Sequence, residues 1–130
     1  MKLKVIKLNQ VKSTNDKAIE LIRKNNFQPR IIVSKKQTKG KGTMGKKWIS
    51  KEGNLFLSIF FETNAKPEEI SIINPYIVKK ALNKYTNYEI KVKWPNDLLV
   101  KRKKFSGILQ ESIKYKSRSF LIIGIGINTV

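Results

Sequence analysis

Cysteine and histidine are both absent from this chain. Without cysteine there is no disulfide, no thiolate metal site and no sulfur nucleophile. Without histidine there is no imidazole base, which excludes serine–histidine hydrolysis and any metal site that needs His or Cys. Carboxylates are scarce: Asp16, Asp97, Glu20, Glu52, Glu62, Glu68, Glu69, Glu89 and Glu111 are all there are. Nor is there a run of about 18 apolar residues, the length a spanning helix needs. The longest apolar stretch, 120–127, contains Gly124 and Gly126 and is strand-sized. The start, MKLKVIKLNQ, alternates basic and apolar residues and lacks the features of a signal peptide. These absences predict a cytoplasmic protein without a membrane association. Any chemistry must come from lysines, a few carboxylates, amides, hydroxyls and backbone N–H groups.

Lysine is what the chain has in excess. With 28 basic and nine acidic residues the net charge is +19. A polyanion partner such as nucleic acid or phosphate is the direct reading. Yet Lys outnumbers Arg 24 to 4, and 18 Ile and 11 Asn accompany it. All three residues have A/T-rich codons, so nucleotide bias produces the same excess. Arginine, the residue that reads base edges best, is the scarce one. The charge therefore predicts no specific nucleic-acid binding; ATP or an acidic protein partner uses the same field. At 130 residues and 40% hydrophobic, the chain is expected to form one domain, 1–130.

Alternation predicts strands over 3–8, 31–34, 54–62, 89–93, 98–100, 105–115 and 119–127. Apolar residues on both faces of 54–62 mark an interior strand. Ser13 and Asp16 stand at capping-box spacing before a helix that runs to about Asn25. A second helix is expected from Pro67 to about Thr86. Pro75 then lies either in its first turn, with Asn74 as cap, or at a kink. Residues 101–104 and 116–117 read as turns. Consecutive strands after residue 89 with no helix between them argue against a doubly wound parallel sheet. The expected fold is α+β: a mixed, largely antiparallel central sheet with helices packed on it.

Four segments can carry chemistry. Residues 37–48 hold Gly40, Gly42 and Gly45 among Lys41, Lys46 and Lys47, a backbone able to approach phosphate oxygens, or else a flexible solvated loop. Lys93–Trp94–Pro95–Asn96–Asp97 puts a lysine, an amide and a carboxylate at a strand break, able to meet ATP phosphates or hydrated Mg2+. An ordinary turn reads the same way. Lys104 opens a strand in which Gly107 leaves room for a flat ligand. Gly124 and Gly126 alternate on one strand, leaving space for a ligand or for a helix.

Taken in order, these pieces resemble the biotin–protein ligases, also called biotin–[acetyl-CoA-carboxylase] ligases. The resemblance rests on Ser13–Thr14–Asn15 before a helix and on the glycine-basic loop from Gln37 to Trp48. It rests most on KWPND (93–97), K-x-x-G-I-L-x-E (104–111) and GIGIN (124–128), and it covers about 13–128. It implies a catalytic domain like that of class II aminoacyl-tRNA synthetases and biotin–lipoate ligases. It further implies that biotin is activated by ATP and Mg to biotinyl-5′-AMP and passed to a lysine of the biotin carboxyl carrier protein of acetyl-CoA carboxylase.

By the same resemblance, Ser13, Thr14, Asn15, Gln37, Gly40, Lys41, Gly42, Thr43, Lys104, Gly107, Gly124 and Gly126 bind biotin. Lys41, Lys46, Trp48, Asn96, Lys104 and Asn128 meet ATP or its phosphates. Lys104 and Asp97 are the catalytic pair, and no metal is held by protein groups alone. The family loop is usually arginine-rich, whereas here Lys41 and Lys46 replace arginines and Thr43 stands where many members have one. Family catalytic domains continue past GIGIN, so the chain is expected to be incomplete at its C-terminal side. It is also expected to lack the DNA-binding domain of the bifunctional members. Two other readings stay open: a lipoate–protein ligase, and a non-catalytic basic module that binds nucleic acid.

Overall fold

A computed structural model describes residues 3–129. Seven strands form one sheet in the order β1-β2-β3-β7-β6-β5-β4. They are β1 (Lys4–Leu8), β2 (Arg30–Ser34), β3 (Leu55–Glu62), β4 (Ile90–Lys93), β5 (Asp97–Val100), β6 (Lys103–Tyr115) and β7 (Arg118–Ile127). Only β1 and β2 run parallel; every other pair is antiparallel. The mixed, largely antiparallel sheet with packed helices is thus the fold that the sequence predicts. β3 sits between β2 and β7, the interior place expected from its two apolar faces.

Helix α1 (Thr14–Arg23) makes the crossover from β1 to β2. Ser13 caps it, its Oγ accepting from the Asp16 N–H at 3.3 Å. Ala18 and Ile22, four residues apart and fully buried, form its apolar stripe. They pack on Ile32 of β2, Phe60 of β3, and Phe120 and Ile122 of β7, and this is the main core. Arg118 and Glu62 clip the far end of β7 to β3 through paired N–H···O contacts of 2.9 and 2.7 Å.

Helix α2 (Pro67–Leu82) packs against β4, β5 and β6. Asn74 donates to Gln110 Oε1 at 2.8 Å, and Gln110 alternates along β6 with Glu111, which faces α1. The two helices therefore cover opposite faces of the sheet. α2 presents Ile72, Ile73, Tyr76 and Ile77 to solvent, each about half exposed.

Three sequence expectations change. α2 stops at Leu82 and is followed by a tighter turn over Asn83–Tyr85, with Thr86 already extended. Pro75 does not lie in the first turn: the helix begins at Pro67 and runs through it. Asn74 is therefore no cap but a buried amide bound to β6. The turn expected over 101–104 shrinks to Lys101 and Arg102, both at positive φ (52° and 65°), and Lys103 and Lys104 join β6. Lys116 and Ser117 make the same kind of two-residue turn (φ 50° and 63°) between β6 and β7. Such turns match the right-handed twist of the strands they join.

Candidate functional site

The site lies on the α1 face of the sheet, where five pieces of chain meet. The first turn of α1 brings Ser13, Thr14 and Asn15, all at most 3% exposed. β6 brings Lys104 and Gly107, β5 brings Asp97, and β7 brings Gly124 and Gly126. The segment between β2 and β3 closes the cleft with Gln37, Lys41, Gly42, Thr43 and Trp48. The free volume left inside the cleft is about 40 Å3.

Residues 37–48 are not a free loop. Val11 and Gln37 form a parallel bridge, and Lys41 and Lys47 an antiparallel one. The Gly42 N–H donates to the Lys46 carbonyl at 2.7 Å, and the Trp48 N–H to the Gly40 carbonyl at 2.9 Å. Gly40 is buried against Ser50, the Trp48 carbonyl and Gln37; a Cβ there would lie 2.5 Å from the first two. The loop is thus folded into a flap with Trp48 at its closing end.

Trp48 lies across the glycines of two neighbouring strands. A Cβ on Gly107 would lie 2.8 Å from its ring, and one on Gly126 2.5 Å from its Nε1. Gly124 takes the Asn15 amide in the same way. The space that the sequence offers to a ligand is therefore shared with the protein's own groups. Among the described residues the Trp48 Nε1–H is buried without a partner, a donor left for something not on the chain. The Lys104 ammonium stands 5.2 Å from the centre of the Trp48 ring and 3.1 Å from Asp97 Oδ1.

A second ionic cluster holds the flap's other end. Lys41 Nζ reaches Asp16 Oδ1 at 2.6 Å and Glu111 Oε1 at 3.0 Å. Burial alone would lower the Lys41 pKa, but its hydrogen bonds and charge contacts with Asp16 and Glu111 outweigh that. Together they hold the ammonium above its ordinary value. The cleft is therefore lined by two lysines, each tied to carboxylate, one of them beside the Trp48 ring.

Not every expected site residue lines the cleft. Gly40 lies behind it, as described. Lys46 is exposed on the flap, and Asn128 is exposed at the end of β7, its N–H donating to the Phe105 carbonyl at 2.7 Å. Asn96 is half-buried in the turn before β5, its carbonyl accepting from the Ile108 N–H at 2.9 Å. The structure adds Asp16, Ser50, Ser58 and Glu111, all tied to site residues. Of these, Glu111 belongs to the 104–111 motif and Asp16 to the capping pair with Ser13, whereas Ser50 and Ser58 stand in no motif visible in the sequence. Among the described residues no three carboxylates gather as a metal site.

Residues 8–128 match the family described as Biotin/lipoate A/B protein ligase. The chain belongs to that family. The ligase/repressor BirA of Bacillus subtilis (strain 168) is 34% identical over 121 residues, which is 89% of this chain and 37% of that protein. Among solved structures, the biotin protein ligase of Aquifex aeolicus in complex with biotin and ATP matches with a TM-score of 0.75 and 37% identity. That match covers 96% of this chain and 52% of that one. The Leishmania major biotin protein ligase in complex with biotinyl-5-AMP matches with a TM-score of 0.83 and 27% identity, over 100% of this chain and 59% of that one. This member of the ligase family thus spans between about a third and three-fifths of these relatives' lengths. Its fold is the catalytic fold of the biotin protein ligases. No helix among its described residues is long and apolar enough to cross a membrane.

Proposed function

We propose that this chain activates biotin with ATP and transfers it to a lysine of a biotin carboxyl carrier protein, that of acetyl-CoA carboxylase. The observation that carries the reading is one cleft holding polar head-group partners at one end and the Lys104–Asp97 pair at the other. Thr14, Asn15 and Gln37 offer amide and hydroxyl groups to the ureido ring of biotin. The biotin tail then runs beside Trp48 towards Lys104.

In the first step a biotin carboxylate oxygen attacks the α-phosphorus of ATP. A P–O bond forms and pyrophosphate leaves, giving the acyl adenylate. Positioning and cationic stabilisation dominate such a transfer, and lysines supply both without any histidine. Lys104 meets the charge that builds on the carboxylate and α-phosphate. Lys41, freed from its carboxylates, faces the phosphates from the flap. Asp97, the carboxylate beside Lys104, would help to hold a Mg2+ brought by the nucleotide, which would supply charge neutralisation for the leaving pyrophosphate. Asn96, Asn128 and Lys46 belong to the nucleotide side, Asn96 and Asn128 at strand ends next to the cleft and Lys46 on the exposed flap.

In the second step the acceptor amine attacks the acyl carbon and AMP leaves. The amine must first lose a proton, and Asp97 is the base within reach. Thr43 in place of the usual arginine gives the adenylate one cation fewer, so it escapes more readily than in arginine-bearing members.

Incubation with biotin, MgATP and a carrier domain, followed by mass spectrometry of the carrier, tests the reading. The expected result is ATP-dependent biotinylation that disappears in Lys104→Ala. A folded chain that binds neither biotin nor ATP would refute it. Asp97→Asn should form adenylate normally but transfer it slowly; transfer at the normal rate would remove Asp97 as base.

A further inference from the structure

Ser58 is a fully buried serine in the middle of β3, with the fully buried Phe56 and Phe60 two residues away on the same face. Along that row a hydroxyl is costly unless it is hydrogen-bonded. It reaches Thr14 Oγ1 at 2.7 Å and accompanies a close contact to Asn15 Oδ1. Both partners lie in the first turn of α1, more than 40 residues away in sequence.

The proton count fixes the direction of these bonds. Asn15 gives its Nδ2 protons to Glu111 Oε1 (2.9 Å) and to the Leu109 carbonyl (3.2 Å), so its Oδ1 faces Ser58 as an acceptor. Ser58 has one proton, and it goes to Asn15. The Thr14 hydroxyl then donates to Ser58 at 2.7 Å rather than to Gln37 Oε1 at 3.2 Å, an oxygen that already accepts the Thr14 backbone N–H at 2.8 Å. Gln37 in turn donates to Ser50, which donates to the Trp48 carbonyl.

We infer that Ser58 is a positioning residue for the ligand's polar head. It orients Asn15 and commits the Thr14 hydroxyl proton inward, so that Thr14 meets the ligand as an acceptor. The ligand group selected is an N–H donor, such as the N–H of a cyclic urea. The inference rests on the biotin reading above and names a residue for it that never touches biotin.

The test is calorimetric titration of biotin, and separately of MgATP, into wild type, Ser58→Ala and Ser58→Cys. Circular dichroism at the same temperature establishes that each is folded. Ser58→Ala is expected to weaken biotin about tenfold, or about 1.4 kcal/mol, with MgATP affinity unchanged. Ser58→Cys, which keeps a weak donor of similar size, is expected to recover part of the loss; should Ser58→Ala fail to fold, Ser58→Cys alone is expected to show a smaller, biotin-selective loss. Unchanged biotin affinity in the folded variants, or equal losses for biotin and MgATP, would overturn the role of Ser58 and leave the proposed function standing. Wild type that binds no biotin would overturn both.

Discussion

Gly126→Ala tests whether Trp48 is seated as described. The methyl carbon would lie 2.5 Å from Trp48 Nε1, 2.6 Å from Cε2 and 2.9 Å from Cζ2. Non-bonded carbons rest about 3.5–4.0 Å apart, so the ring must withdraw by about 1 Å. Overpacking of this kind costs about 1–3 kcal/mol. For a chain of this size each kcal/mol lowers Tm by about 3–6 °C. The expected fall is about 3–18 °C. The assay is a thermal melt followed by far-UV circular dichroism, which reads the backbone equally in every background. In a Trp48→Ala background the same glycine substitution should cost almost nothing, since contacting residues are not additive. Equal cost in both backgrounds, or no cost in either, would refute the seating of Trp48 over Gly126.

Lys104→Ala should reduce pyrophosphate release about 10²–10³-fold, the usual worth of one group aimed at developing charge. Its ion pair is half-exposed, so Tm should barely move; normal release would make Lys104 an ordinary surface lysine. Lys41 has a raised pKa, so its contribution to stability is complete below the ordinary lysine value of 10.5 and lost as pH rises through the folded value. Guanidinium unfolding of wild type and Lys41→Met should therefore differ at pH 8 and converge above that range; a constant difference would contradict the assignment. Glu62 is held below its ordinary 4.5 by hydrogen bonds from Arg118, so the clip is intact above that pH and lost as pH falls through the lowered value. Glu62→Gln should fall below wild type at pH 7 and match it in strong acid, as read by denaturant midpoints.

The strands at 55–62 and 119–127 were legible as strand-length apolar runs, and the α1 cap because Ser13 precedes an apolar stripe. The motifs at 93–97, 104–111 and 124–128 located three walls of the cleft. The end of α2 was not legible: Ala81, Leu82 and Tyr85 keep helical spacing past the point where the backbone tightens at Asn83. Of the two places the sequence left open for Pro75, the first turn is excluded because eight residues precede it in the helix. Ser58 was invisible for a different reason. A serine between phenylalanines reads as a polar interruption until the fold brings Thr14 and Asn15 over it. Asp16 and Lys41 likewise meet across 25 residues with no periodicity to announce them.

The hydrogen bonds around Ser58 run from Lys41 through Glu111, Asn15, Ser58, the hydroxyl and then the backbone N–H of Thr14, Gln37 and Ser50 to the Trp48 carbonyl. They start and finish on the same flap. A segment fastened at one end frays from the other, and its amides exchange with solvent one after another. A segment fastened in a ring has no free end, so residues 41–48 should open all at once. Their amide protons would then exchange with a single shared opening energy, and a ligand entering the cleft would slow them all by one common factor.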